Sequence, residues 1–355
     1  MKRFLIGLSV SALLGLGVNG YSQDIHFSQF YENAMLRNPA LTGIFTGDYK
    51  IGLDYRSQWG TIAVPYNTVM LSGETRILVN REIGDYVSFG LVYTHDQAGT
   101  ISFASNQVYP AIAYNKSLED QHNSFLSVGF TGGFISRSVD QSKMTFSSQY
   151  IQGVGYSAGN ATGEVGTFKN LSNYDLGAGV SLNSSLDMNG FFNYYLGVSA
   201  YHLNNPAEIF SSTTVDSRAP LKWQFSGGFH CTFNQQFGIT AHANFSMMGP
   251  YRETVFGGLI DWRSVPVGLP SIFAIHFGAF YRYQDAVIPT FKVDYQNVSV
   301  ALSYDATNSS LATASGGTSA TEITLYVRGN YNHRKNPRDP IMCPRFEEVN
   351  QYNFR

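Results

Sequence analysis

His242, Asn244 and Ser246 alternate along one short run of the chain. A hydroxyl, an imidazole and an amide are the parts of an acyl hydrolase, in which the imidazole takes the serine proton and a third group orients the ring. In an extended strand, however, successive same-face residues stand about 7 Å apart. That is too far for a short Ser–His hydrogen bond. His230 and His276 fall on the same face by parity as His242. His230 and His242 are placed as diagonal neighbours across a hairpin, with no carboxylate or cysteine expected at matching register, so they make a poor metal shell and read as polar lining. No Gly-x-Ser-x-Gly elbow, dinucleotide fingerprint or phosphate loop occurs, and Gly153-Val154-Gly155 misses the spacing. The expectation is no catalytic, metal or cofactor site, and no enzyme activity.

The elements that carry these residues are strands. Tyr174, Leu176, Ala178, Val180 and Leu182 alternate with Asp175, Gly177, Gly179 and Ser181. Period-two alternation marks a strand with a different solvent on each face. The pattern returns in Val87-Phe89-Leu91-Tyr93, Leu126-Val128-Phe130, Phe237 to Phe245 and Val298 to Tyr304. Fourteen such strands are expected between residues 48 and 331, most of them long enough to cross a bilayer at a tilt. Their polar faces are rich in Gly, Ser, Thr and Asn, and their other faces are bulky and aromatic. Phe (26), Tyr (23) and Gly (35) are abundant and only 14% of residues are charged, a composition that suits a membrane barrel with aromatic girdles better than a soluble sandwich. The fold class read from the sequence is therefore all-β, a transmembrane antiparallel β-barrel of about 14 strands. The two longest connections, 138–171 and 204–220, follow odd-numbered strands, which places them outside when both barrel termini face the periplasm. Two features fit less well: the connection at 263–269 is long for the inner side, and Arg56 breaks the alternation of the first strand.

The ends of the chain read differently from its middle. Residues 1–22 have a basic start, an apolar run from Phe4 to Val18 and small residues to Ser22, the layout of a cleaved secretory signal. Loss of Lys2 and Arg3 leaves 21 basic against 25 acidic residues, so nothing points to nucleic acid. Within 23–47, Phe27, Phe30, Tyr31, Ala34 and Met35 recur at helical spacing and Asn38-Pro39 ends the helix. Such a short helical segment either plugs the lumen, closes its periplasmic mouth, or packs loosely under the rim. Gly129, Gly133, Gly177, Gly179, Gly197 and Gly228 leave room inside for a guest or a plug. Residues 332–355, with Pro337, Pro340 and Pro344, read as an extended periplasmic tail. Cys231 and Cys343 would meet an oxidising compartment, and a disulfide between them is one option.

Several motifs carry a family resemblance. Asn38-Pro39-Ala40-Leu41-Thr42-Gly43, Tyr55-Arg56-Ser57-Gln58-Trp59, Asp285 to Pro289, Ser303-Tyr304-Asp305 with Asn308 to Leu311, Gly316-Gly317 before Glu322-Ile323-Thr324-Leu325, and Cys343-Pro344-Arg345-Phe346 together resemble the PorP/SprF family. These are outer-membrane proteins of the type IX secretion system of gliding and related bacteria. The resemblance implies a barrel that helps large adhesins with a C-terminal targeting domain to leave the cell or stay attached to its surface. It also implies contact with the periplasmic ring of the secretion machinery and with outer-membrane lipid. Arg56, Trp59, Asp305, Asn308, Cys343, Pro344, Arg345 and Phe346 are the residues expected to meet partners. The alternative is a channel for a small apolar or sugar-like ligand with the N-terminal segment as its hatch, since Asn-Pro-Ala also occurs in fatty-acid channels.

Overall fold

The computed structural model describes residues 24–331, apart from 61–63, 81, 158, 163–169, 189, 209–217, 235, 265–272, 310–311 and 313–316. The alternating runs form strands β1 (Tyr49–Gln58), β2 (Tyr66–Asn80), β3 (Asp85–Ala98), β4 (Phe103–Ser117) and β5 (Phe125–Ser138). They continue as β6 (Leu171–Ser185), β7 (Phe192–Tyr201), β8 (Lys222–Thr232), β9 (Phe237–Met248) and β10 (Tyr251–Arg263). The last are β11 (Phe273–Arg282), β12 (Ala286–Tyr295), β13 (Val298–Thr307) and β14 (Thr318–Gly329). Each pairs antiparallel with its neighbours in sequence, and β1 pairs with β14 to close the barrel. Closure leaves no sheet edge, the condition for β-structure in hydrocarbon.

The two faces of the wall are chemically opposite. Leu53, Leu71, Leu91, Phe130, Leu176, Phe256 and Leu302 point outward and stay exposed, whereas Asp54, Ser88, Asn115, Ser127, Asp175, Ser181 and Ser299 point inward and are buried. An exposed bulky face around a polar interior is the reverse of a soluble sandwich, and it fits lipid. No helix among the described residues is long and apolar enough to cross a membrane; the strands do the crossing.

Arg56 does not break the alternation of β1. It is buried in phase with Lys50, Gly52 and Asp54, while Ile51, Leu53 and Tyr55 face out. The first strand is regular, and its inward face is charged. The two long connections, 139–170 and 202–221, leave the same end of the barrel, which is the external end by the loop-length rule. A small hairpin, Tyr150–Ile151 with Gly155–Tyr156, decorates the first of them.

Candidate functional site

Residues 24–46 fill the lumen. The segment begins beside the external end, where Asp24 Oδ2 lies 2.8 Å from Lys222 Nζ at the start of β8, and it ends at Gly47, packed against Gly329 at the periplasmic end of β14. It therefore descends the barrel from outside to inside before turning into β1. Only Ala34–Arg37 is α-helical, followed by a 3-10 turn at Pro39–Leu41. The helix expected from Phe27 onward is confined to Ala34–Arg37; upstream the chain makes tight turns, with Glu32 N–H on Gln29 O at 3.0 Å and Asn33 N–H on Phe30 O at 3.3 Å, and the Ser28 and Gln29 N–H groups donate to the Glu322 carboxylate at 2.7 and 2.8 Å.

Three kinds of contact hold the segment. Its apolar side chains seat on two parts of the inner wall: Phe27 and Met35 among Met70, Val92, Tyr109 and Ile135, and Phe30 and Tyr31 among Val255, Leu259, Phe280 and Ile288. Burying each large side chain contributes roughly 1.5–3 kcal/mol. The inward glycines form the second contact. A Cβ at Gly129 would overlap the Pro39 and Ala40 backbone, and one at Gly179 would overlap the Asn38 amide. There Asn38 Nδ2 donates to Val180 O at 3.0 Å and its Oδ1 caps Ala40 N–H at 2.9 Å.

The third contact is ionic and fully buried. Arg56 Nη2 meets Asp305 Oδ2 and Arg56 Nη1 meets Glu322 Oε2, both at 3.0 Å, and Arg282 Nη1 reaches the same Asp305 oxygen at 3.0 Å. Ser28 Oγ lies inside this group, donating to Asp305 at 2.6 Å and contacting Arg56 and Arg282. Lower down, Glu32 is held by Lys292 at 2.5 Å and Lys50 at 3.9 Å. Buried charges of this kind persist when paired and hydrogen-bonded, as these are.

The residues expected to meet partners separate accordingly. Arg56 and Asp305 are buried and grip the N-terminal segment. Trp59 is half-buried at the external rim, its ring 4.9 Å from that of Tyr66, and Asn308 is exposed just beyond β13. Cys343, Pro344, Arg345 and Phe346 lie outside the described residues, as do any pairing of Cys343 and the leader.

The histidines have carboxylate neighbours that strand reading did not supply. His276 stands directly opposite Asp261 on β10, with Nδ1 2.5 Å from Asp261 Oδ1 and Nε2 2.9 Å from Asp294 Oδ2. Thr240 Oγ1 links Asp261 to His230 at 2.8 and 2.9 Å. The earlier expectation of no matching carboxylate was wrong, because it considered one hairpin and the acids come from the next strands. His242 stacks on Tyr31 at 5.3 Å and meets the Tyr195 hydroxyl at 3.3 Å. Four residues along one strand separate it from Ser246, about 13 Å of extended chain. Among the described residues no group of three or more His, Cys, Asp or Glu side chains is placed to hold a metal ion.

Above the segment the barrel opens outward into a vestibule of about 900 Å³, floored by Asp24, Ile25 and His26. The profile for the type IX secretion system membrane protein PorP/SprF matches residues 19–326. The chain belongs to the PorP/SprF family. Among solved structures it is similar to a Pseudomonas aeruginosa FadL homologue, with a TM-score of 0.51 at 9% identity over 82% of this chain and 92% of that one. It is also similar to the monoaromatic hydrocarbon channel CymD, with a TM-score of 0.48 at 12% identity over 90% and 97% of the two chains. At such identities the first likeness concerns the fold alone. No curated protein matches in sequence. The PorP/SprF chain is thus an outer-membrane barrel of a secretion system, closed inside by its own N-terminal segment.

Proposed function

We propose that this PorP/SprF barrel is a non-enzymatic receptor that assists export or surface attachment of a partner, a large adhesin with a C-terminal targeting domain. The observation that carries the reading is the filled lumen: Phe27 to Thr46 are almost wholly buried in it, so a partner is received at an outer face and not conducted through. In this reading Trp59 and Asn308 contact the partner at the external rim. Arg56 and Asp305 act from within by fixing the segment that floors the rim. Residues 1–22 direct export, and Cys343 to Phe346 form a periplasmic strip that docks on ring components of the secretion machinery. The channel alternative requires the segment to leave its ionic and apolar contacts, and the depth of those contacts stands against it. Deleting the gene should retain one surface protein inside the cell while others are displayed normally, read by surface proteomics of intact cells. Normal display of every surface protein would overturn the proposal.

A further inference from the structure

The external vestibule has a chemistry that goes beyond contact with a protein partner at the rim. At about 900 Å³ it lies in the range of roughly 300–1,000 Å³ typical of small-molecule sites, too small for a folded domain. Its carboxylates and guanidiniums are near balance and largely satisfied within the protein. Arg282 pairs with Asp285 at 2.9 Å and approaches Glu253 at 3.9 Å. Arg137 pairs with Glu208 at 2.8 Å, and Asp24 with Lys222 at 2.8 Å. Asp96 accepts from Thr68 at 2.6 Å, and Arg252 donates to the Gly249 and Tyr251 carbonyls. Most of the lining's charge is thus paired or hydrogen-bonded within the protein, with the single acid Asp96 and base Arg252 offsetting each other in sign, and an apolar ligand would strip water from these groups without replacing it.

Aromatic rings also line the vestibule. Trp59 and Tyr66 meet at 65°, and Tyr251 and Tyr283 line another part of the mouth. Trp59 also holds a left-handed backbone, φ 56°, while its N–H bonds Ser319 O at 2.8 Å. A bulky side chain in that region is strained, and such strain gathers at functional sites. A pyranose ring has an apolar C–H face that packs on an aromatic ring, and hydroxyls that bond well to paired carboxylates and guanidiniums.

We propose that the vestibule binds a neutral oligosaccharide from the external side, with Trp59 as its stacking platform. This site shares Trp59 with the rim contact proposed above, but its test reads sugar binding and not display of a partner. The test is calorimetric titration of the full-length mature protein in detergent with maltohexaose, cellohexaose and chitohexaose, beside trigalacturonate, a chitosan oligomer and laurate. At least one neutral hexasaccharide should bind in the micromolar to millimolar range. Trp59→Gly, which suits the backbone, should weaken it about tenfold, and Trp223→Phe on the outer wall should leave it unchanged. Failure of all three neutral sugars at millimolar concentration, tighter binding of an ionic or apolar probe, or wild-type affinity in Trp59→Gly would each overturn the proposal.

Discussion

Arg56 and Glu322 are direct cross-strand partners at the seam where the first and last strands close the barrel. The same carboxylate receives the Ser28 and Gln29 N–H groups, so one residue pair both joins the seam and anchors the luminal segment. Arg56→Met leaves Asp305 and Glu322 buried with less compensation and should cost about 3–5 kcal/mol. The loss is read as a lower midpoint for the heat-induced mobility shift on gels. Adding Glu322→Gln should restore part of the loss, because the two sites are coupled. Additive effects would show that the pair is not a unit.

Glu32 offers a graded test of the lower anchor. Lys292 lies 2.5 Å from its carboxylate and Lys50 3.9 Å, and Coulomb attraction falls with distance. Lys292→Met should therefore destabilise more than Lys50→Met, with the larger loss at about 3 kcal/mol. Equal midpoints for the two variants would contradict the assignment.

The strands were legible because two solvents impose period two, as in β6, where Leu176 and Val180 face out and Asp175 and Gly177 face in. The course of residues 24–46 was not. Ser28 finds Asp305 across 277 residues, and nothing in the local pattern of Phe27 to Met35 announces a partner that distant. Arg56 was misjudged for a related reason: a charge in a membrane strand looks like an interruption until the charged row Lys50, Asp54, Arg56 is seen as one inward face. The glycines were read as room inside the barrel, but their individual partners, Pro39 at Gly129 and Asn38 at Gly179, needed coordinates.

Those glycines allow the segment to be displaced without touching it. Gly129→Val puts a branched side chain where the Pro39 and Ala40 backbone lies. The barrel ladder tolerates Val well, so the wall should fold while the segment detaches. Planar-bilayer recordings should then pass from a closed wild type to a conducting variant, and limited proteolysis should cut between residues 24 and 46. A variant that stays closed and resistant would mean that the segment is held without the glycine seat.

The external anchor should depend on pH. His202 lies 3.0 Å from Asp175 Oδ2 and 3.8 Å from Asp24 Oδ2. Burial disfavours its charged form, but the two carboxylates outweigh burial and hold its pKa above the usual 6.5. Burial likewise works against ionised Asp24, and Lys222 and His202 outweigh it, holding that carboxyl well below its usual 3.8. A raised histidine pKa contributes its full stabilisation below the unfolded value and loses it as pH rises through the folded one. A depressed carboxyl pKa contributes above its unfolded value and is lost in acid. The midpoint advantage of wild type over His202→Gln should thus be greatest between about pH 4 and 6.5 and shrink at higher pH. A difference that does not vary with pH would assign His202 a packing role only.

Truncation after His333 separates barrel from tail. Strand β14 ends at Gly329 and has already paired with both β13 and β1. Tyr331, which survives the cut, adds a bond from its N–H to Asp48 Oδ2 at 3.0 Å and a hydroxyl contact with Thr75 at 2.9 Å. Among the described residues the closure is complete by Tyr331, so the truncated chain should keep the wild-type heat-modifiable mobility and insert into the outer membrane. If Cys343, Pro344, Arg345 and Phe346 form the docking strip proposed above, the same cells should fail to display the partner protein. A misfolded truncation would show that the tail belongs to the barrel, and full display with a folded barrel would remove the tail from the secretion role.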